Sequence, residues 1–119
     1  MNLQQLISDH ATCTDLLKCA FNLSDAEVDI YRTLSDMGAL RSDQLAEEMG
    51  KNPSSVYRGL QKMVSCGMVI KETKNLEAGG SFNLYRAKSR AQLKDDLRSC
   101  MDAMMRRVDV LLDSFEEGF

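Results

Sequence analysis

Side chains that hold metals or attack substrates are scarce in this chain: one histidine, His10, and four cysteines, Cys13, Cys19, Cys66 and Cys100. A structural zinc site normally uses close ligand pairs, and the cysteines form no CxxC pair. His10 and Cys13 are spaced to share one helix face, which would allow a weak metal or redox site. The plainer reading is small buried hydrophobes beside a helix-face histidine, so no metal and no cofactor is expected. A Gly-rich phosphate loop and a nucleophile motif are both missing, which leaves little for a catalytic site. The chain is therefore not expected to be an enzyme. Met1 to Ala20 lacks the basic start and apolar middle of a secretion signal, so the cysteines should be reduced thiols of a cytoplasmic protein. A thiol-gated response is conceivable at Cys66, where a predicted helix ends.

A second kind of chemistry, recognition of a polyanion, is better represented. Residues 1–40 carry a net charge of −4, residues 41–90 carry +4 and residues 91–119 carry −3. A basic middle between acidic ends is the footprint of a polyanion-binding surface. Within that middle, a helix from residue 53 to 66 would bury Val56, Leu60 and Met63. The opposite face then presents Ser54, Arg58, Gln61 and Ser65, flanked by Ser55, Tyr57 and Lys62. Arg reads guanine bidentately, Gln reads adenine and Ser adapts to either. Arg58 and Gln61 are accordingly expected on base edges, with Ser54 and Ser55 near bases or phosphates. Lys62, Lys51 and Arg41 suit phosphates, as do Lys71, Lys74 and Arg86. An exposed helix face must be polar in any case, so the elements around it decide whether these residues recognise anything.

Those elements are legible. The chain of 119 residues is 44% hydrophobic and 28% charged, with one Pro and no Trp. That describes one globular domain able to bury roughly 65% of its unfolded surface. No apolar run approaches the roughly 18 residues of a membrane span. Leu3, Leu6, Ile7, His10, Cys13, Leu17 and Ala20 predict an amphipathic helix over 2–20. Ser24-Asp25-Ala26-Glu27 is a capping box that opens a helix carrying Val28, Tyr31 and Leu34 and stopping at Gly38. Residues 39–41 allow a turn or a minimal strand. Ser42 is expected to cap a third helix with Leu45, Ala46 and Met49, ending at Gly50. Lys51-Asn52-Pro53 then starts the next helix at once.

Two short helices across a tight turn, with a third before them, make a helix-turn-helix, whose second member can enter a major groove. The β-rich Met68–Lys74, the Gly79-Gly80 turn and the alternating Phe82–Ala87 predict a hairpin. A hairpin directly after such a helix is a wing, here residues 68–87. Gly59 inside the helix costs about 1 kcal/mol against Ala, and close approach of a neighbouring helix or of DNA would explain it.

From Leu23-Ser24-Asp25-Ala26-Glu27 through Leu45-Ala46-Glu47-Glu48-Met49-Gly50, Ser54-Ser55-Val56-Tyr57-Arg58, Gly67-Met68-Val69 and Tyr85-Arg86-Ala87, the chain resembles TrmB-type transcriptional regulators. The likeness spans about residues 22–88, and MarR-like and Lrs14-like winged-helix regulators of archaea share much of it. It implies a dimeric regulator that binds double-stranded DNA. In that family the position of Tyr57 lies partly against the core and partly towards the DNA backbone. The sequence ends soon after the wing, where full-length TrmB proteins carry a sugar-binding domain, so carbohydrate sensing is not expected; any small-molecule effector is unknown.

Residues 89–117 contain no Gly or Pro and predict one helix of roughly 43 Å. Its apolar stripe (Leu93, Leu97, Cys100, Met104, Val108, Leu111, Phe115, with Met101, Met105 and Leu112 beside it) steps 4, 3, 4, 4, 3, 4, an eleven-residue repeat that stays nearly straight. Such a stripe outruns a domain this small and needs a partner. The expected architecture is mainly α with a small β-hairpin. It has an N-terminal helix (1–21), a winged helix-turn-helix (22–88) and a long C-terminal helix (89–119), both terminal helices forming a homodimer through Leu3, Leu6, Leu93, Leu97, Met101, Met104, Val108, Leu111 and Phe115. The expected function is a sequence-specific transcription regulator. The alternative is a winged-helix module that binds protein instead of DNA.

Overall fold

The computed structural model describes residues 3–118. Two units follow one another along the chain, residues 1–89 and 90–119.

The first unit begins with a short α1 (Leu3–Leu6) and α2 (Cys13–Phe21). The continuous helix expected over 2–20 is thus interrupted, and its first residue, Asn2, lies outside the described residues. The cause is local. Thr12 and Asp15 form their own capping box: the Asp15 N–H donates to Thr12 Oγ1 at 3.2 Å and the Thr12 N–H donates to Asp15 Oδ2 at 3.0 Å. The Ser8 hydroxyl also accepts from the His10 N–H at 3.2 Å. Side-chain oxygens here offer the backbone an alternative to continuing the helix. His10 therefore lies in a turn while Cys13 starts α2, and the two do not share a helix face.

α3 (Asp25–Met37) opens at the capping box of Ser24 and Glu27 and buries Val28, Ile30, Tyr31 and Leu34. Lys18 of α2 reaches Asp25 at 2.8 Å, and Arg32 of α3 donates to Thr14 Oγ1 at 2.7 Å, so α2 and α3 are tied at two points. α4 (Ser42–Met49) buries Leu45 and Ala46. Ser42 does not cap it, contrary to expectation. Arg41 occupies the cap position and its N–H donates to the Gln44 side chain at 3.0 Å.

α5 (Pro53–Ser65) buries Val56, Gly59, Leu60 and Met63. β1 (Val69–Asn75) and β2 (Ser81–Ala87) pair antiparallel from Val69↔Ala87 out to Asn75↔Ser81. Leu40 forms the minimal strand, exchanging both backbone hydrogen bonds with Tyr85 at 2.8 and 3.0 Å. The core joins these helices to the base of the hairpin: Leu34, Leu45, Leu60, Met63, Met68 and Tyr85 are all at most 2% exposed. The Tyr31 hydroxyl donates to the Lys88 carbonyl at 2.8 Å and pins the end of the hairpin to α3.

The second unit is α6 (Arg90–Asp113), about 36 Å long at 1.5 Å per residue. It stops short of the expected 117. Residues 114–117 form turns in which the Ser114 hydroxyl bonds back to the Val110 and Leu111 carbonyls. Glu116 and Glu117 would also sit unfavourably at the negative end of a helix dipole.

Candidate nucleic-acid interface

The turn between α4 and α5 is set by two residues. Gly50 takes a left-handed φ of 61°, a conformation that a side chain resists. Asn52 then caps α5, its Oδ1 accepting from the Ser54 and Ser55 N–H groups at 2.9 and 3.3 Å. With the stripe Val56, Leu60 and Met63 buried, helical geometry leaves Ser54, Ser55, Tyr57, Arg58 and Ser65 exposed and Gln61 and Lys62 half-buried. Between α4 and α5 lies a wide-open surface groove of about 600 Å³ lined by Ser42, Asp43, Pro53, Ser54, Tyr57 and Arg58. Three residues expected from sequence thus meet in one place, with a 49% exposed Tyr57 as its apolar wall. The Arg58 guanidinium extends over Ser55, 3.4 Å from its hydroxyl, and is paired with no carboxylate among the described residues.

Ser42, Asp43 and Pro53 were not expected in the groove, and Asp43 is the charged one among them. It lies in the first turn of α4, where the helix dipole favours a carboxylate, and that preference could have flagged it. Its Oδ1 is 3.4 Å from Arg41 Nε, and the Arg41 guanidinium also stands 6.0 Å from the Phe82 ring of the wing. Arg41 therefore bridges the groove edge and the hairpin.

The other cations divide in two groups. Lys51 and Lys71 are exposed and form no ion pair among the described residues. Lys74 and Arg86 lie on one face of the hairpin with Glu72 between them, at 3.6 and 3.1 Å. Arg86 holds the Glu72 carboxyl below its ordinary value. Lys71 lies on the opposite face, across from Tyr85.

Lys62 is turned away from the groove. Its ammonium donates to the Asn22 carbonyl at 2.6 Å and to Glu27 Oε1 at 3.0 Å, joining α5 to the start of α3. Burial works against a charged Glu27, but hydrogen bonds from the Ser24 N–H and from Lys62 outweigh it and hold the carboxyl below its ordinary value. A phosphate would have to displace this structural pair, which position on a helical wheel did not reveal.

Cys66 follows α5 half-buried. Burial pushes its thiol up, and the thiol faces the Met63 carbonyl at 3.5 Å; both disfavour the reactive thiolate. No group of three His, Cys, Asp or Glu among the described residues is placed to hold a metal ion. No helix among them is long and apolar enough to cross a membrane.

The residues expected at a dimer seam differ in exposure. Leu3 (63%), Met104, Leu111 and Phe115 are exposed, Leu6, Leu97, Met101 and Val108 are half-exposed, and Leu93 is buried.

Three helices, a helix-turn-helix and a two-stranded wing are the winged helix-turn-helix architecture, and solved structures share it. A possible transcriptional regulator from Methanosarcina mazei Go1 superposes with a TM-score of 0.72 at 22% identity, covering 87% of this chain and 88% of that one. A proposed MarR-family regulator from Enterococcus faecalis V583 gives 0.53 at 15% identity, over 94% and 96% of the two chains. The family described as "Sugar-specific transcriptional regulator TrmB" matches residues 17–91. The chain belongs to this TrmB family of transcriptional regulators, a family of regulators and not of enzymes. A further relative, the uncharacterized protein MJ1503 of Methanocaldococcus jannaschii, is 22% identical over 105 residues, 88% of this chain and 80% of its own.

Proposed function

We propose that this regulator binds double-stranded DNA sequence-specifically as a homodimer, with α5 in the major groove and the wing on the backbone or in the minor groove. The observation that carries the reading is the groove between α4 and α5. Ser54, Tyr57 and Arg58, which pairs with no carboxylate among the described residues, line it at the exposed N-terminal end of a helix whose other face is used by the core. Arg58 is the candidate for guanine and Gln61, half-buried, for the base next to it. Ser54, Ser55, Lys51 and Lys71 are assigned to phosphates. Arg41, Lys74 and Arg86 join them by exchanging Asp43 or Glu72 for the backbone. The exposed apolar residues of α6 and α1 are assigned to the second copy.

Fluorescence anisotropy on DNA from the protein's own upstream region, titrated with salt beside a scrambled duplex, tests the proposal. Preferential, salt-dependent binding of two chains per site supports it. Equal or absent binding to both duplexes overturns it. The second reading, a winged helix that binds protein, draws on Asp43 in the groove and on the carboxylates that neutralise Arg41, Lys74 and Arg86. Its signature is a stoichiometric protein partner together with indifference to DNA.

A further inference from the structure

The two faces of the wing differ in charge. Strand alternation puts Lys71 and Thr73 of β1 on one face with Asn83 and Tyr85 of β2, and Glu72 and Lys74 on the other with Phe82, Leu84 and Arg86. The first face has a cation and no carboxylate. On the second, Glu72 Oε1 lies 3.1 Å from Arg86 Nε and Glu72 Oε2 lies 3.6 Å from Lys74 Nζ, so both carboxylate oxygens are engaged. Arg86 holds the carboxyl below its ordinary value, and it is charged at neutral pH. Lys74 and Arg86 nevertheless stay about half-exposed, within reach of a phosphate.

We infer that Glu72 is a specificity-determining residue: it occupies the two wing cations in competition with DNA phosphates and so suppresses binding to duplexes that α5 does not recognise. The inference rests on the DNA-binding reading above.

Affinity for an arbitrary duplex is governed by the number of phosphates that the protein neutralises. A cation engaged with Glu72 neutralises none until that pair is broken, and the displaced carboxylate then faces phosphates of its own sign. An ion pair this exposed is weak enough to exchange. Exchange needs a phosphate held at hydrogen-bonding distance, because Arg86 already has a partner there. Base contacts that seat α5 in its groove fix the wing at one place on the backbone, and a loosely bound duplex does not. The carboxylate therefore costs arbitrary sequences more than the recognised one, which is discrimination by an added repulsion. The same arrangement recurs at the edge of the α4–α5 groove, where Asp43 faces Arg41 at 3.4 Å.

Anisotropy titrations of Glu72→Gln on the upstream and scrambled duplexes test the inference. Glutamine keeps the side-chain shape and raises the net charge of the triad by one. The scrambled duplex should gain the equivalent of one phosphate contact: a salt slope steeper by about 0.9 and an affinity about fivefold higher at roughly 0.15 M salt. The upstream duplex should gain less, so the ratio of the two affinities falls. In a Lys74→Ala, Arg86→Ala background the same substitution should leave the slope unchanged. Glu77, an exposed carboxylate at the tip of the wing, is the control for charge alone, and Glu77→Gln should move both duplexes alike. With wild-type preference for the upstream duplex intact, four outcomes would overturn the inference and leave the DNA-binding reading standing. They are no gain or an equal gain on both duplexes, a gain that survives loss of both cations, an equal fall in the ratio for Glu77→Gln, and a loss of affinity, which would make Glu72 an orienting partner of Arg86. A wild-type chain that binds neither duplex, or both alike, would overturn the DNA-binding reading and the inference with it.

Discussion

α5 and α6 carry apolar stripes of the same kind, and the structure treats them differently. Of the 13 residues of α5, four are buried, and its stripe is used up by the core. Of the 24 residues of α6, only Leu93 is buried, while Met104, Met105, Val110, Leu111 and Leu112 are 42–61% exposed. Apolar periodicity states that a face needs covering and is silent on what covers it. In α5 the covering is local, and the opposite face is left free for recognition. In α6 Met104, Met105, Leu111 and Leu112 stay exposed within about 120° of one side, and Val110 lies apart from them; so much exposed apolar surface is unusual for a lone chain and points to a second copy.

The largest expected effect breaks the comparison open. Leu60 is fully buried, so Leu60→Ala should lower the unfolding free energy by about 2–5 kcal/mol at every protein concentration. Leu111 is 51% exposed. Leu111→Ala should leave the dilute chain within about 0.5 kcal/mol of wild type and weaken association, so that its loss relative to wild type grows with protein concentration. Urea unfolding at two concentrations a hundredfold apart, with sedimentation, measures both. An equal, concentration-independent loss for Leu111→Ala would mean that its face is covered within the chain, and α6 would then resemble α5.

The free face of α5 gives the next effect. Arg58→Ala should cost about 1–3 kcal/mol of operator binding, roughly 5–150-fold, and relax preference at one base position. Lys71→Ala should weaken all duplexes alike and reduce the salt slope by about 0.9. Lys62→Ala should leave that slope unchanged, because its ammonium is held by Asn22 and Glu27. Anisotropy titrations of the three variants rank them. A lowered slope for Lys62→Ala would return that residue to the interface.

This difference between Lys62 and Arg58 also marks how far the sequence could be read. The element order, the α4–α5 turn, the wing and the basic middle were legible because they rest on local signals: a Ser-Glu capping box, Asn52-Pro53, Gly50, and alternation in Phe82–Ala87. The break before α2 was signalled just as locally by Thr12 and Asp15, but a count of apolar positions overrode it. What was not legible is non-local. Lys62 and Arg58 are equivalent on a helical wheel, and only the approach of Asn22 and Glu27 separates them. The pairing of Glu72 with Arg86 is likewise set by the register of two strands, whereas Asp43 with Arg41 and Glu72 with Lys74 lie two residues apart and could have been read.

A smaller effect tests how closely α5 is packed. A Cβ on Gly59 would lie 2.5 Å from Ile30 Cδ1, and Ile30 is itself buried. Helix propensity favours Ala over Gly by about 1 kcal/mol, but overpacking a core costs about 1–3 kcal/mol. Gly59→Ala should therefore lose a net ~1 kcal/mol or so in thermal or urea unfolding. In an Ile30→Val background, which removes Cδ1, the same substitution should become neutral or stabilising. No reversal of sign would mean that Gly59 is kept for some reason other than α3.

The smallest effect concerns the tie between α5 and α3, which joins Lys62 of one helix to Glu27 of the other at 3.0 Å. The Glu27 carboxyl is held below its ordinary 4.5 in the folded chain, so the folded state takes up its proton later than the unfolded state as pH falls. Its contribution is then fully present above about pH 4.5 and is lost as pH drops through the lowered folded value. Glu27→Gln keeps an acceptor for the Ser24 N–H and removes the charge, so the comparison isolates the pairing with Lys62. For an ion pair this near the surface the difference from wild type at pH 7 should be below about 1 kcal/mol. It should vanish on acidification and shrink in high salt. Unfolding of both proteins across pH 3–7 checks the sign. A difference that persists below the folded pKa would show that the charge on Glu27, and so its pairing with Lys62, is not what separates the two proteins.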